Sequence, residues 1–250
     1  AAGMAAAITL AGRLRAAGRQ DTVVLAEKLA KPGKKLLATG NGRCNLSNIH
    51  AAQGGYHGDD RHFHEYALNQ YPPSETLQWF SGLGLYTVTE PSGKVYPYSD
   101  QANSVVDVLR FSLERPNIQV LTDFEVQKVK KDGAVFSVSA RSETLEFDRL
   151  IIACGGLAGT KLGGTMSGYK LLRSFGHKCT KLRPTLVQVK TSWPGVSALK
   201  GVRANCHAAI YHNGQLHRES VGEIQFTEFG LSGPVIYEIS RDACQGSGDW

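Results

Sequence analysis

Residues 39–48 are the part of this sequence whose residue types are best suited to binding chemistry. They read Thr-Gly-Asn-Gly-Arg-Cys-Asn-Leu-Ser-Asn. Gly40 and Gly42 bracket Asn41, a pattern typical of backbone with positive φ that a ligand can approach closely. Arg43 adds a cation with five hydrogen-bond donors. Such a segment is a poor helix and a poor strand. It predicts a cradle for an anion or a cofactor, with an ordinary polar surface loop as the alternative.

The residues before this segment predict the second half of a dinucleotide-binding unit. A helix rich in Ala, Leu and Arg extends to about Ala17, and residues 22–26 predict a short strand that ends at Glu27. In a dinucleotide-binding unit an acid at this place bonds the ribose hydroxyls. Gly3 stands where the last glycine of G-x-G-x-x-G lets the helix pack on the first strand. The alternative for Gly3 is ordinary helix packing.

A second group of strands follows later in the chain. Residues 117–121 and 125–129 predict strands, and Lys131-Asp132-Gly133 predicts a hairpin turn into a strand at 134–138. Residues 150–154 predict a buried strand that runs into the double glycine Gly155-Gly156. In flavoproteins with two dinucleotide folds, such a strand brings the chain back against FAD.

At this point the chain resembles a known family. Residues 32–37 and 39–48 together look like the signature of the BaiN/RdsA family of FAD-dependent oxidoreductases, also described as aminoacetone-oxidase-like or YhiN-type flavoproteins. Cys154 stands where the family usually has Thr, and Thr160 stands where Pro is common. The resemblance continues through 152–156, 163–169, 176–177, 184–187, 222–227 and 230–234.

The resemblance implies an α/β fold with a Rossmann-like FAD-binding domain of the two-dinucleotide-fold type. We expect this domain at residues 1–188 and the beginning of an inserted β-rich domain at 189–250. Family members begin with a strand and a complete glycine fingerprint and continue beyond the inserted domain. We therefore expect the chain to be incomplete at both ends, starting inside the fingerprint and stopping at 246–250.

The residues themselves predict how these domains are organised. A helical excursion is predicted at about 56–115, with apolar residues at helical spacing in 62–70, 73–82 and 100–115 and a short strand or loop at 93–99. After Pro184 the residue pattern becomes typical of β-structure. We predict strands or turns at 203–211, 212–214, 215–219, 224–227 and 230–234.

The resemblance also assigns cofactor-binding roles. Glu27 is expected at the ribose, Lys35 at the phosphates and the Val126 backbone at adenine. Residues 40–45 are expected along the ribityl chain and flavin. The full predicted FAD-binding set is Gly3, Glu27, Lys28, Lys35, Thr39, Gly40, Asn41, Gly42, Arg43, Cys44, Asn45, Val126, Ala153, Cys154, Gly155 and Gly156.

Other reactive side chains carry weaker predictions. Cys44 beside Arg43 could be a redox thiol, but a packed structural thiol is the favoured interpretation because no second cysteine is nearby. His62 and His64 have no acidic or cysteine partner nearby, so no metal site is predicted. Tyr96 and Tyr98 could line a substrate pocket or pack a sheet face, and the sequence favours packing. No catalytic acid or base is identified.

Composition indicates a globular protein. The 250 residues are 42% hydrophobic and 20% charged, and no run approaches the ~20 apolar residues of a membrane span. The five cysteines (44, 154, 179, 206 and 244) are scattered without a C-x-x-C, which indicates reduced thiols in a cytoplasm. The net charge of +6 is dispersed along the chain, which favours a solvated surface over a nucleic-acid site.

The resemblance implies an FAD-dependent oxidoreductase that takes hydride from NADH or NADPH and reduces a C=C bond conjugated to a carbonyl. The resemblance associates this reaction with unsaturated steroids and uracil rings. The alternatives are a flavin-dependent amine oxidase, an RNA-binding or RNA-uridine-reducing protein, and a truncated inactive flavoprotein. A small-molecule substrate is the expected partner, RNA is less favoured, and no membrane partner is expected.

Overall fold

The computed structural model describes residues 1–58, 60–141 and 143–243. The chain forms two compact units, one from Ala1 to His177 and one that begins at Lys178. The domain boundary that the sequence places near 188 stays a prediction. Cys244 and residues 246–250, which the sequence analysis interprets as a reduced thiol and an incomplete end, lie outside the described residues.

The first unit combines helices with short strands, and the second is mainly β-sheet. None of the helices in the described ranges is long and apolar enough to cross a membrane. The helices are α1 (Ala2–Ala16), α2 (Glu65–Gln70), α3 (Pro73–Gly82), α4 (Ala102–Phe111), α5 (Ser167–Arg173) and α6 (Pro234–Ala243). The strands are β1 (Val23–Ala26), β2 (Ser47–Asn48), β3 (Thr87–Thr89), β4 (Lys94–Pro97), β5 (Ile118–Leu121), β6 (Lys128–Asp132), β7 (Val135–Ser139), β8 (Thr144–Phe147), β9 (Val189–Lys190), β10 (Arg203–His212), β11 (Gln215–Phe226) and β12 (Gly230–Ser232).

A helix packed on a parallel pair of strands forms the centre of the first unit. β1 and β5 pair in parallel, in register from Val23 opposite Ile118 to Ala26 opposite Leu121. One face of α1 is buried against the pair and α4, with Met4, Ala7, Ile8 and Ala11 at the spacing of a helical stripe. The predicted helix to about Ala17 and the predicted strands at 22–26 and 117–121 are confirmed within a residue or two.

The excursion between β1 and β5 contains α2, α3, α4 and a small antiparallel sheet in the order β2-β4-β3. The helix predicted at 73–82 is confirmed at both ends, and the short strand expected at 93–99 is β4. The helix predicted at 62–70 begins only at Glu65. The sequence analysis missed β2 and β3, because strands of two or three residues are too short to show alternation.

A third sheet follows in the antiparallel order β6-β7-β8. The predicted hairpin turn is confirmed, since Asp132 pairs with Val135 across Gly133, whose φ is +56°. The strand predicted at 125–129 starts later, at Lys128. The third strand, β8, was not predicted.

The prediction of a buried strand at 150–154 is wrong. Residues 151–156 form no strand in the structure, and Ile151 is 63% exposed. A strand exists only where its backbone N–H and C=O groups pair with a neighbour. No strand of the described residues pairs with this segment, so apolar composition alone does not make it a strand.

The second unit is a four-stranded antiparallel sheet in the order β10-β11-β12-β9, with α6 packed on one face. Val235, Ile236 and Ile239 of α6 form a core with Ile224 of β11. The predicted hairpin at 203–219 is confirmed. The separate strands predicted at 215–219 and 224–227 are instead one strand, β11, and the turn predicted at 230–234 is β12 followed by the start of α6.

Candidate cofactor-binding site

The loop at residues 40–46, which precedes β2, has the backbone conformation that its glycines predict. The φ angles are +54° at Gly40, +61° at Asn41, +86° at Gly42 and +62° at Cys44, all in the left-handed region. A β-carbon added to Gly40 would lie 2.7 Å from the backbone nitrogen of Asn45. Real β-carbons do not come this close to other atoms, so Gly40 is required by space as well as by φ.

The second half of the loop is fastened to β4. The Leu46 N–H donates to the carbonyl oxygen of Val95 at 2.8 Å. The side-chain amide of Asn45 faces the carbonyl oxygens of Ser47 and Val95, and with its nitrogen assigned to that side it donates to them at 2.8 and 3.2 Å. Cys44 is 2% exposed and belongs to the core around α1 and α4. This burial agrees with the interpretation of Cys44 as a packed thiol.

Arg43 points away from the backbone of the loop and towards two carboxylates. Its Nη2 lies 2.7 Å from Oε1 of Glu90, its Nε donates to Oδ1 of Asp100, and its guanidinium carbon lies 3.8 Å from the centre of the Tyr96 ring. The hydrogen bonds to Glu90 and Asp100 raise the pKa of Arg43 above its ordinary value. The sequence analysis expected a cation that could meet an anion, whereas this guanidinium is held by protein carboxylates.

A cavity of about 240 Å³ lies between the first turn of α1 and the loop. The polar part of its lining comes from Thr39, Cys44 and Asn45, and much of the remainder is apolar. The lining includes Ala1, Ala2, Trp79, Phe80, Val105 and Leu109. Leu25 of β1 lies against Gly3, so the end of β1 that precedes Glu27 is at the same end of α1.

Leu25 of β1 and Ala153 both lie close to Gly3 where α1 begins. A β-carbon on Gly3 would lie 3.3 Å from Cδ1 of Leu25 and 3.7 Å from the β-carbon of Ala153, so the helix passes close to both segments. Glu27 follows β1 directly, and its Oε1 accepts a hydrogen bond from the Leu29 N–H at 3.0 Å. One carboxylate oxygen is thus used within the loop that follows β1.

The segment that contains Val126 is hydrogen-bonded to the backbone of Glu27. The Phe124 N–H donates to the Glu27 carbonyl oxygen at 3.0 Å, two residues before Val126. The Val126 side chain packs on the cluster of Phe124, Val129 and Val138. The tertiary fold therefore brings Phe124, two residues before Val126, to the backbone of Glu27, and the adenine and ribose roles of Val126 and Glu27 stay predictions.

Two lysines contact the glycine-rich segment that follows the double glycine. Nζ of Lys28 donates to the carbonyl oxygen of Gly163 at 2.8 Å, and Nζ of Lys35 donates to that of Ala158 at 2.7 Å. Across the described ranges, neither lysine forms an ion pair with a carboxylate. Both ammonium groups therefore keep a positive charge that no carboxylate neutralises.

The double glycine is packed against α5. A β-carbon on Gly156 would lie 2.5 Å from the hydroxyl oxygen of Tyr169, and one on Gly168 would lie 2.5 Å from Sγ of Cys154. Cys154 itself is exposed, and Gly155 has a φ of +74°. These contacts require small residues on both sides and hold the segment against the helix.

The remaining predicted side chains lie elsewhere or have other partners. The expectation that His62 has no acidic partner is wrong, because its Nδ1 lies 2.6 Å from Oε1 of Glu65, three positions later on the chain. The His64 ring stacks on Tyr56 at 3.7 Å. No group of three or more His, Cys, Asp or Glu side chains that could hold a metal occurs among the described residues. Tyr96 is 7% exposed under Arg43, whereas Tyr98 is 77% exposed.

Sequence reasoning missed Glu90 and Asp100. Each is an isolated acid in a turn, 47 and 57 positions after Arg43. No spacing rule connects residues so far apart. A pattern at the sequence level could not have identified them.

The residues present fit a dinucleotide cofactor. The loop that Gly40 shapes lines the cavity through Thr39, Cys44 and Asn45, and an acid follows β1 where ribose hydroxyls need an acceptor. Lys28 and Lys35 supply charge that a diphosphate would neutralise. The site can hold an anionic, hydroxyl-rich ligand with one apolar end.

The chain belongs to the HI0933-like protein Rossmann domain family, which matches residues 1–233. This match confirms the resemblance to the BaiN/RdsA type and the Rossmann-like α/β fold class.

Three relatives extend the comparison. A 3-dehydro-bile acid delta(4,6)-reductase of Clostridium scindens is 39% identical over 246 residues, which are 98% of this chain and 59% of that protein. A ribosomal RNA dihydrouridine synthase of Escherichia coli is 31% identical over 226 residues, 90% of this chain and 55% of that protein. A ribosomal RNA dihydrouridine synthase of Haemophilus influenzae is 26% identical over 249 residues, which are 95% of this chain and 59% of that protein. The chain thus spans less than two thirds of the length of these relatives.

Proposed function

We propose that this chain is the FAD-binding part of an oxidoreductase that takes hydride from NADH or NADPH and reduces a C=C bond conjugated to a carbonyl. The observation that carries the proposal is the cavity between α1 and the left-handed loop at residues 40–44, with Glu27 directly after β1, whose Leu25 lies against Gly3 of α1. FAD, when bound, supplies the hydride-transfer chemistry. The protein supplies binding, orientation and exclusion of water.

Each residue of the site has a physical reason for its proposed role. The Glu27 carboxylate accepts from ribose hydroxyls, and Lys28 and Lys35 neutralise phosphate charge. The backbone of residues 40–45 lies along the ribityl and flavin portion, because left-handed glycines allow close approach. The Val126 backbone would contact adenine, and residues 153–156 would also hold the cofactor.

The reaction class draws on the names of the relatives. A delta(4,6)-reductase and a dihydrouridine synthase both add hydrogen to a ring double bond by their names. The 39% identity to the reductase favours a small-molecule acceptor, which keeps RNA as the second candidate.

Anaerobic absorption spectroscopy of the purified protein tests the proposal. We expect a yellow flavin band that bleaches when NADPH or NADH is added. The bleached enzyme should then be reoxidised by a steroid dienone or by a uridine-containing RNA, and the faster acceptor identifies the substrate class. A flavin band that persists with both nicotinamides but bleaches with an amine would establish the amine oxidase instead.

The remaining alternatives give distinct results. A protein that remains colourless after incubation with FAD would support the inactive flavoprotein and exclude the enzyme proposal for this chain. RNA binding without flavin, weakening steeply as salt is raised, would support the RNA-binding module.

A further inference from the structure

We infer that Glu90 and Asp100 are positioning residues that set the conformation of the loop at residues 40–46 through Arg43. Arg43 belongs to the loop, and its side chain contacts both carboxylates and the Tyr96 ring. A guanidinium is planar and presents donors in fixed directions, so two acceptors and a ring below fix its orientation. The inference rests on the proposed function, since the loop matters as an FAD-binding element.

The charges around Arg43 argue against direct phosphate binding by this residue. One positive charge faces two carboxylates, so the cluster of Arg43, Glu90 and Asp100 has a net negative charge. An anionic ligand would be repelled here. Lys28 and Lys35 offer positive charge to phosphate, because their partners are neutral carbonyl groups.

The two carboxylates are held on a fixed frame. Glu90 begins the β3–β4 connection, where its N–H donates to the Lys94 carbonyl oxygen at 2.9 Å. Asp100 follows β4 with a φ of +57°, and its N–H donates to the Pro97 carbonyl oxygen at 2.9 Å. Because both acids are tied to backbone at the ends of β4, their position determines where Arg43 can lie.

The loop has little freedom once Arg43 is fixed. Tyr96, which lies under the guanidinium, also reaches within 3.3 Å of the β-carbon position of Gly40. The Asn45 backbone nitrogen approaches the same position from within the loop. A shift of Arg43 would therefore be transmitted to Gly40 through the tyrosine ring and to Cys44 through the chain.

Comparing FAD with ADP as ligands tests the inference. ADP carries the adenosine and phosphates that Glu27, Lys28 and Lys35 would bind, but not the flavin portion assigned to residues 40–45. We expect Glu90→Gln combined with Asp100→Asn to weaken FAD binding roughly tenfold, while ADP affinity changes less than about twofold. Arg43→Lys should behave like the double variant, because an ammonium retains the charge but not the fork or the ring stacking.

Asp21→Asn is the matched control. It breaks the exposed ion pair with Arg19, which also joins a carboxylate to a guanidinium by two hydrogen bonds but lies after α1. This control should leave both affinities at the wild-type value. The inference is overturned if the double variant binds FAD as tightly as the wild type, or if its affinities for FAD and ADP fall equally. It is also overturned if Arg43→Lys retains the full affinity for FAD.

Hydrogen exchange without any ligand separates the inference from the proposed function. We expect the amides of residues 40–46 to exchange faster in the double variant than in the wild type, with α1 and β5 unchanged. If the wild type binds neither FAD nor ADP, the proposed function fails, and this exchange result alone decides the positioning role. Unchanged exchange at 40–46 would then refute it.

Discussion

The ammonium group of Lys35 lies 2.7 Å from the carbonyl oxygen of Ala158, 123 positions later in the chain. Lys28 makes the corresponding bond to Gly163 at 2.8 Å. Two cations from the segment after β1 thus hold the glycine-rich segment that precedes α5. A carbonyl oxygen is a weaker partner for an ammonium than a phosphate, so both lysines are available to an anionic cofactor.

Replacing both lysines by methionine should weaken FAD binding about three- to tenfold at low salt, because two uncompensated charges are lost. The difference from wild type should shrink as NaCl is raised, since salt screens the remaining attraction. Titration of FAD at several NaCl concentrations measures both effects. Lys34→Met, next to Lys35 and also exposed, is the control and should have little effect. Equal loss in the control would show that only net charge matters.

Gly40→Ala and Gly42→Ala should differ although both residues have positive φ. Each alanine adopts a left-handed conformation that costs about 1–2 kcal/mol. Only Gly40→Ala also collides with the Asn45 nitrogen at 2.7 Å, while the nearest atom at Gly42, the Leu37 carbonyl oxygen, is 4.0 Å away. Thermal unfolding should give a lower midpoint for Gly40→Ala, with FAD binding reduced further. Similar midpoints for the two variants would contradict the steric argument.

Ile8→Ala should destabilise the first unit by about 2–5 kcal/mol, as expected for a buried aliphatic truncation. Ile8 is 2% exposed in the core that α1 forms with α4. Leu10 lies on the same helix and is 39% exposed, so Leu10→Ala should change the free energy of unfolding by only about 0.5 kcal/mol. Urea denaturation of both variants measures the difference. A larger effect of Leu10→Ala than of Ile8→Ala would show that the buried face of α1 has been assigned wrongly.

His62 should titrate above its ordinary range. Its hydrogen bond and charge interaction with Glu65 raise the pKa of the imidazole. A raised folded-state pKa stabilises the fold below the ordinary value, and this contribution is lost as pH rises through the raised value. Because the pair is exposed, the effect on overall stability is small. NMR titration should show the His62 pKa falling towards its ordinary value in Glu65→Gln, and no change would rule out the pairing.

Local patterns predicted much of the fold. The apolar stripe of α1, the bounds of α3 and the turn at Gly133 depend on residues within a few positions of one another. The left-handed backbone at Gly40–Gly42 was likewise predictable, because glycine and asparagine tolerate positive φ wherever they occur. The family signature at 39–48 further predicted the Rossmann-like class, which the match over 1–233 confirms.

The sequence was least informative where pairing partners decide the structure. Residues 150–154 have the composition of a buried strand, yet no described strand pairs with them. Conversely, β11 is one strand of 12 residues because β10 pairs along it, although Gly222 interrupts its pattern. Strand formation depends on neighbours that lie at any distance along the chain.

The sequence by itself determined which residue types the candidate site contains and the backbone conformation of its loop, since both are local properties. Only the tertiary structure decided what each side chain contacts. It directs Arg43 to Glu90 and Asp100 instead of towards a ligand, and it leaves Lys28 and Lys35 facing neutral carbonyl groups. The physical reason is that charge pairing depends on distance in space, and the fold alone sets the distance between residues that are far apart in sequence.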